Sequence, residues 1–261
     1  MRRREVALDG LPGDVTDVDL AGDDSWVVAC RDRRGAVVVA TADGPLVAPA
    51  RLHHPIVRWM GGDRILVVEP RVAKGGDNAY VLTRAGEMVV RARVGDGVQD
   101  VMVAGDRVVV TYFDEGVFGD VGPSSEGLCV FGPELELDFG YQSGVKDPVD
   151  IVDCYCACLA GPHEVCFSPH PGFPLVRLNL KTRKQAVLAL PAELAGANAL
   201  ATDGVDFFVY GPYGAKTTIF RWSPKHGDVE QVGTLPRPAR GYGRGTFIAP
   251  ERDGYVIVDV A

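Results

Sequence analysis

The segment 112–120 concentrates acidic side chains between aromatic rings, and it is the stretch of the sequence best suited to chemistry. Carboxylate and carbonyl oxygens suit Ca²⁺ or Mg²⁺, but the D-x-D-x-D-G spacing of a known calcium-binding loop is absent. A carboxylate packed against the neighbouring phenylalanines could instead have a raised pKa and act as a general acid or base. In a third interpretation the rings cover a sheet edge and the carboxylates cap backbone amides. The residue types leave these alternatives open, and we assign no metal ligands.

Three cysteines alternate as C-x-C-x-C along the segment 154–158. On a straight strand alternate side chains share a face, so we expect the three sulfur atoms to point the same way. Their spacing lacks the C-x₂₋₄-C pair of structural zinc sites and is at or beyond the usual disulfide reach. We therefore predict small buried thiols here and at Cys30 and Cys129. A thiolate site completed by Cys166 from the next strand is the alternative.

Three of the five histidines fall on segments that we expect to be loops, namely His53, His54 and His170. They are the candidates for a general base or a metal ligand. A histidine exposed on a loop commonly has no catalytic role, so both interpretations stay open.

Several chemistries lack their sequence signature. The chain has neither the G-x-x-x-x-G-K-[ST] phosphate loop nor the G-x-S-x-G nucleophile elbow. Glycines are dense in 241–245, but no dinucleotide-binding βαβ pattern follows them. We interpret this segment as a flexible approach to the last strands that presents Arg240, Tyr242 and Arg244. No motif implies a cofactor.

The charge and hydropathy of the chain limit its partners. A net charge of −8 repels phosphate backbones, so we expect no nucleic-acid partner, and the arginines at 2–4 are interpreted as a solvated terminus. No stretch approaches the ~18 apolar residues of a membrane span, and no apolar signal core follows Met1. We therefore expect a cytoplasmic monomer that contacts no membrane, with its cysteines as thiols.

One unit recurs along the chain: an apolar strand, a glycine-centred turn and a second apolar strand. The turn glycines stand at positions 22, 62, 105, 161, 204 and 254. These intervals suit the four antiparallel strands of a propeller blade, which takes roughly 40–50 residues. The sequence thus predicts an all-β fold, a single β-propeller of six blades. The predicted blades are 15–52, 53–96, 97–146, 147–194, 195–236 and 237–261.

The last predicted blade is short, because only three strands can be traced in it. The strand-like segment 4–9 is unused by the first blade, and we predict that it joins the last blade and closes the ring. An irregular β-sandwich is the competing fold, but six copies of one hairpin argue against it.

In a propeller every innermost strand begins on the same face, and that face collects the longer loops. Variable loops on a rigid scaffold are the usual place for binding residues, so we place the site there. The predicted ligand-binding residues are Tyr112, Asp114, Glu115, Asp120, His53, His54, Glu69, Asp100, Asp150, Asp153, His170, Asn198, Tyr213, Arg240, Tyr242 and Arg244.

The repeated hairpins resemble WD40-like and NHL-like bacterial propellers over essentially the whole chain, although no blade ends in Trp-Asp. The segments 112–119, 153–155 and 173–177 are similar to uncharacterised bacterial propeller proteins. This resemblance implies the fold and carries no residue roles.

Two hypotheses follow for the function. In the first, the protein is a non-catalytic binding module that takes a protein segment or a polar small molecule on the loops where the innermost strands begin. In the second, it is a small-molecule hydrolase, lyase or isomerase with a carboxylate-lined site, with or without a metal, at the mouth of the central channel. The residues that would converge there are Glu69, Asp100, Asp114, Asp150, Asp153 and Asn198.

Overall fold

A computed structural model describes residues 1–21, 25–46, 51–119, 122–236 and 238–261. In these residues the chain forms six antiparallel sheets of four strands each, arranged as the blades of one propeller ring. The predicted fold class is confirmed.

The strands follow one another from the innermost to the outermost position in blades 1 to 5. Blade 1 contains β2 (Asp14–Leu20), β3 (Trp26–Arg31), β4 (Val37–Thr41) and β5 (Gly44–Leu46). Blade 2 contains β6 (Ile56–Gly61), β7 (Arg64–Val68), β8 (Ala79–Thr83) and β9 (Met88–Ala92). Blade 3 contains β10 (Val98–Ala104), β11 (Arg107–Tyr112), β12 (Leu128–Phe131) and β13 (Leu137–Gly140).

Blade 4 contains β14 (Asp153–Gly161), β15 (Glu164–His170), β16 (Leu175–Asn179) and β17 (Gln185–Leu188). Blade 5 contains β18 (Ala199–Thr202), β19 (Phe207–Tyr210), β20 (Thr218–Trp222) and β21 (Val229–Thr234). Blade 6 contains β22 (Arg240–Gly243), β23 (Thr246–Glu251), β24 (Gly254–Asp259) and the N-terminal β1 (Arg2–Ala7).

The helical segments among the described residues are all short. They are α1 (Asp114–Val117), α2 (Tyr141–Gly144) and two 3₁₀ turns, Ser124–Glu126 and Ala192–Leu194. No helix in the described ranges has the length and apolar character needed to cross a membrane.

The N-terminal strand closes the ring, as predicted. Strand β1 runs antiparallel to β24 with Arg2 opposite Asp259 and Ala7 opposite Gly254, and it is the outermost strand of blade 6. This pairing gives the last blade its fourth strand. It also joins the two ends of the chain through a ladder of backbone hydrogen bonds.

The strand that the sequence analysis missed is β22, the innermost strand of blade 6. Its segment was interpreted as a flexible approach, and that interpretation is wrong, because Arg240–Gly243 pairs with β23. Glycine is required for packing here: a Cβ on Gly241 would lie 1.8 Å from the carbonyl oxygen of Leu200 in blade 5. The hairpin that contains Gly254 is therefore formed by β23 and β24, the second and third strands of this blade. Among the described turn glycines, Gly254 lies at the opposite end of the ring from the others.

Each blade is buried on both faces by its neighbours, which explains the long runs of apolar residues in the inner strands. In β11 the side chain of Val109 packs between blades 3 and 4, whereas Val108 and Val110 pack between blades 2 and 3. All three are fully buried. The core is therefore a series of layers between blades.

The prediction that the three alternating cysteines share one face is wrong. The register of β14 shifts between Cys154 and Cys156, which marks a β-bulge. A bulge adds one residue to the strand and turns the following side chains to the other face. Cys154 accordingly packs towards blade 3, whereas Cys156 and Cys158 pack towards blade 5. The predicted burial of the thiols is confirmed.

Candidate functional site

We call the end of the ring at which the innermost strands begin the upper face, and the end at which they finish the lower face. Two groups of polar side chains lie at the upper face. One lies in the central channel, and the other lies on the loops above blades 3, 4 and 5.

Arg58 of β6 occupies the channel and is only 4% exposed. Its two terminal nitrogens lie 2.7 Å from Asp17 Oδ2 in blade 1 and 2.8 Å from Asp100 Oδ1 in blade 3, and its Nε donates to the carbonyl of Val101 at 2.6 Å. Burial alone would lower the pKa of this guanidinium, but the attraction of Asp17 and Asp100 outweighs burial and raises it. Arg58 is therefore a permanent cation that neutralises both carboxylates.

A second arginine joins blade 6 to blade 1. Arg240 of β22 donates through Nη2 to the carbonyl of Val18 at 2.8 Å and to Asp19 Oδ1 at 2.5 Å. The other oxygen of Asp19 accepts from the backbone nitrogen of Trp59 at 2.8 Å. The acidic side chains of β2 are thus committed to neighbouring blades.

The upper mouth of the channel holds a cavity of about 250 Å³. The predicted residues His54, Asp100, Asn198 and Arg240 line it. Because the charges of Asp100 and Arg240 are already paired within the protein, the cavity offers few unsatisfied groups to a charged ligand.

Three rings form what we call the aromatic platform: Tyr155 at the start of β14, Phe173 in the β15–β16 loop and Tyr213 in the β19–β20 loop. Their centroids are 5.0–5.7 Å apart and every pair is close to perpendicular, at 84–90°. This edge-to-face arrangement is favourable for aromatic pairs and makes the platform rigid. The hydroxyl of Tyr213 donates to that of Tyr155, which joins blade 5 to blade 4.

A glycine in the loop before β18 allows the Tyr213 ring to reach Tyr155. A Cβ on Gly196, in the loop before β18, would lie 2.5 Å from the Tyr213 ring, so a glycine is needed beneath that ring. Tyr213 is nevertheless 55% exposed and presents aromatic surface to solvent. The imidazole of His170 lies at the margin of the platform, 5.3 Å from the Phe173 centroid.

Three carboxylates lie beside the platform, from Asp153 at the start of β14 and from Asp114 and Glu115 of α1. Burial raises the pKa of Asp153, and the negative charges of Asp114 and Glu115 raise it further, whereas His170 lowers it. We call this group the acidic cluster. It carries negative charge that the neighbouring side chains leave only partly neutralised, so it favours a cation.

Close backbone packing positions α1. The backbone nitrogen of Phe113 donates to the carbonyl of Gly97 at 2.9 Å, and a Cβ on Gly116 would lie 2.3 Å from the carbonyl oxygen of Asp96. The glycines in this acidic segment therefore allow the helix to lie against the loop that enters blade 3.

The structure brings together five of the predicted residues on one surface, namely Asp114, Glu115, Asp153, His170 and Tyr213. Asp120 lies outside the described residues. Asp150 is exposed in the segment that precedes β14.

Other predicted residues have structural contacts. Tyr112 is fully buried and its hydroxyl donates to the carbonyl of Val94, so it is not part of the upper surface. The carboxylate of Glu69 accepts the backbone N–H groups of His53 and His54 and fixes their loop.

Two expected upper-face residues belong elsewhere. Tyr242 lies in β22 and its hydroxyl donates to the carbonyl of Leu20, near the lower end of the channel. Arg244 lies on the lower face, in the turn between β22 and β23. Both differences have one cause, because the segment taken for an upper loop is an inner strand.

Sequence reasoning missed Tyr155, Phe173 and Arg58. The alternating cysteines on either side of Tyr155 suggested a thiol site and gave no role to the tyrosine. Its orientation depends on the β-bulge at this point of β14, and a bulge has no clear sequence signal. Arg58 did have one, since it is a lone charge within the apolar run of β6.

The carboxylates proposed for a catalytic channel do not converge on one site, although Asp114 and Asp153 lie close to each other. Asp100 binds Arg58, Glu69 binds backbone amides, and Asp153 belongs to the acidic cluster. Within the described ranges no three histidine, cysteine, aspartate or glutamate side chains are grouped so that they could hold a metal ion.

No family model and no curated protein matches the sequence. Solved structures do match the fold. A catalytically inactive variant of virginiamycin B lyase from Staphylococcus aureus, with quinupristin, has a TM-score of 0.57 at 12% identity over 100% of this chain and 99% of that one. YCF48 bound to D1 peptide has a TM-score of 0.55 at 14% identity, over 99% of this chain and 82% of that one.

The extracellular domain of the putative one component system BT4673 from B. thetaiotaomicron gives a TM-score of 0.58 at 11% identity. It covers 98% of this chain, which spans 33% of that one. At these identities the likeness shows the propeller fold alone.

Proposed function

We propose that this propeller is a binding module whose upper face takes a basic segment of a partner protein. The observation that carries the proposal is the aromatic platform beside the acidic cluster, on loops from three blades. Carboxylates attract the lysine or arginine side chains of such a segment, and exposed aromatic rings attract them further through cation–π contacts.

The rigidity of the site supports recognition of a flexible segment. The platform is held by edge-to-face packing and by the hydroxyl contact of Tyr213 with Tyr155, so little side-chain entropy is lost when a ligand binds. Apolar surface is present as well, because Phe118 is 73% exposed just after α1. A basic segment that also carries apolar side chains would fit both features.

The other candidate functions have less support. A cavity of about 250 Å³ is below the range of typical small-molecule pockets, roughly 300–1,000 Å³, and its charges are paired internally. A structural neighbour is a lyase. In this chain, however, two of the carboxylates that a channel-mouth active site would need have structural partners, because Glu69 accepts from a backbone N–H group and Asp100 pairs with Arg58. YCF48 with its peptide is consistent with segment binding by a propeller of this kind.

The test uses a fluorescein-labelled hexapeptide of alternating arginine and leucine, with the glutamate–leucine peptide as its counterpart. Fluorescence anisotropy should show binding of the basic peptide only. The variant Asp114→Asn/Asp153→Asn should weaken it about tenfold, because two charge-assisted contacts are lost.

A matched control removes the same charge from the lower face through Asp63→Asn/Asp106→Asn, two exposed turn residues. Tyr213→Leu keeps apolar contact but removes the ring face, so it should weaken binding about threefold. Equal weakening by both double variants would reduce the attraction to net charge and would refute a specific site.

A further inference from the structure

The lower mouth of the channel holds a larger cavity than the upper mouth, of about 930 Å³. Its walls come from the lower parts of the innermost strands, from the turns that follow them and, in blade 6, from Arg4 of β1 and Ile257 of β24. This volume lies within the range of pockets that enclose small organic molecules. It is separated from the upper cavity by Arg58 and Arg240, which line both.

Two arginines on the wall of this cavity are uncommitted. Arg4 of β1 and Arg244 of the β22–β23 turn are exposed, and neither side chain has an ion-pair or hydrogen-bond partner in the part of the chain that the structure describes. Arg244 is held at the rim by a left-handed backbone, with φ +46°, between two glycines of positive φ.

The acidic groups on the same wall are already occupied. Asp19 accepts from Arg240 and from the backbone of Trp59. The carboxylate of Asp203 accepts the N–H groups of two residues in its own turn, each at 2.8 Å. Asp203 keeps its negative charge, but Arg4 and Arg244 together outweigh it, because Arg240 and Arg58 are already paired with carboxylates. The remaining charge of the described wall is therefore positive, on a protein whose net charge is −8.

Two buried hydrogen-bond donors belong to side chains of the same wall. Arg240 Nε and Trp59 Nε1 are both buried, and neither has an acceptor among the described residues. Both side chains line the cavity. Because its side chain lines the cavity, the indole of Trp59 can report on a molecule bound there.

We propose that the lower mouth is a second binding site, for a small organic molecule that carries several carboxylate or phosphate oxygens. The rim arginines Arg4 and Arg244 bind its anionic groups through charge-assisted hydrogen bonds. The site is independent of the upper-face function, because it lies at the other end of the channel and attracts the opposite charge.

Isothermal titration calorimetry at low ionic strength tests the proposal with two probes, citrate and inorganic pyrophosphate. At least one should bind, and the tighter one identifies the carboxylate or phosphate chemistry. Arg4→Gln/Arg244→Gln should weaken binding about tenfold, and both residues are exposed, so folding is retained. The matched control is Arg33→Gln/Arg34→Gln, an equal change of charge on exposed residues of an upper loop.

The indole N–H resonance of Trp59 gives a second readout, because it should shift when the probe binds while that of Trp222 stays in place. Trp222 is buried in the layer between blades 4 and 5. Failure of both probes to bind would overturn the proposal, as would equal weakening by the rim and control variants. Asp114→Asn/Asp153→Asn should leave this binding intact, which separates it from the upper-face function.

Discussion

The guanidinium of Arg58 contacts the carboxylate of Asp17 across the boundary between blades 2 and 1, with Nη1 2.7 Å from Oδ2. The same oxygen accepts from the backbone nitrogen of Val57 at 2.8 Å. Because Arg58 also reaches Asp100, it connects blades 1 and 3, which are not adjacent in the ring. One side chain can connect two non-adjacent blades here because the innermost strands of all the blades face the central channel.

Loss of Arg58 should destabilise the fold strongly. Arg58→Met keeps most of the side-chain volume but leaves Asp17 and Asp100 without their cation in a largely buried place. Removal of one partner from a buried ion pair costs about 3–5 kcal/mol, and urea unfolding followed by fluorescence should show a loss of that size.

The exposed pair of Arg221 with Glu230 provides the control, and Arg221→Met should change the free energy of unfolding by about 0.5 kcal/mol or less. The triple variant Arg58→Met/Asp17→Asn/Asp100→Asn should recover part of the loss, because it removes the unpaired charges. An Arg58→Met protein as stable as wild type would show that the channel contacts are incidental.

Most of the fold could be predicted because the glycine turns repeat with their apolar strands. Strand β22 could not, since Gly241 serves close packing against Leu200 and the strand has no apolar pattern. The acidic segment was identified, but its meeting with Tyr155 and Tyr213 depends on ring geometry and on the bulge in β14. The strand pattern allows the face on which a loop lies to be predicted. It does not allow the contacts between two loops to be predicted.

Removal of residues 1–7 should destabilise the protein and promote association. Without β1 the edge of β24 is exposed, and an unpaired strand edge is a template for pairing with another chain. Loss of the ladder should lower the free energy of unfolding by about 3 kcal/mol or more. Chemical unfolding and light scattering measure the two effects.

A variant that keeps the strand but changes its charge, Arg2→Gln, is the control, because Arg2 is exposed. It should unfold and scatter as wild type does. A truncated protein that stays monomeric with unchanged stability would contradict ring closure by β1.

The six cysteines should be unreactive in the folded protein. All are buried, and burial raises the pKa of the Cys156 thiol to about 12, so almost none of it is thiolate at pH 8. Ellman's reagent should detect no fast-reacting thiol in native protein and six in denaturant. Rapid reaction of any thiol in the native state would contradict this burial.

The pH dependence of stability should reveal the cost of ionising the Asp153 carboxyl in the folded protein. Burial and then Asp114 raise its pKa in the folded state above the usual value of 3.8. The folded protein therefore binds this proton more tightly than the unfolded chain does. It follows that ionised Asp153 costs stability at neutral pH and that the cost disappears as the pH falls through the raised pKa.

Asp153→Asn removes that cost, so the variant should melt at a higher temperature than wild type at pH 7. The difference should shrink as the pH is lowered towards 4, because the wild-type carboxyl then takes up its proton. Asp106→Asn, an exposed lower-face residue, is the control and should show no such convergence. A wild type that is the more stable protein at pH 7 would mean that Asp153 already has a cationic partner. The affinity for a basic peptide should fall as the pH is lowered over the same range. The peptide needs the ionised form of Asp153, and the folded protein takes up a proton at this carboxyl more readily than the unfolded chain does.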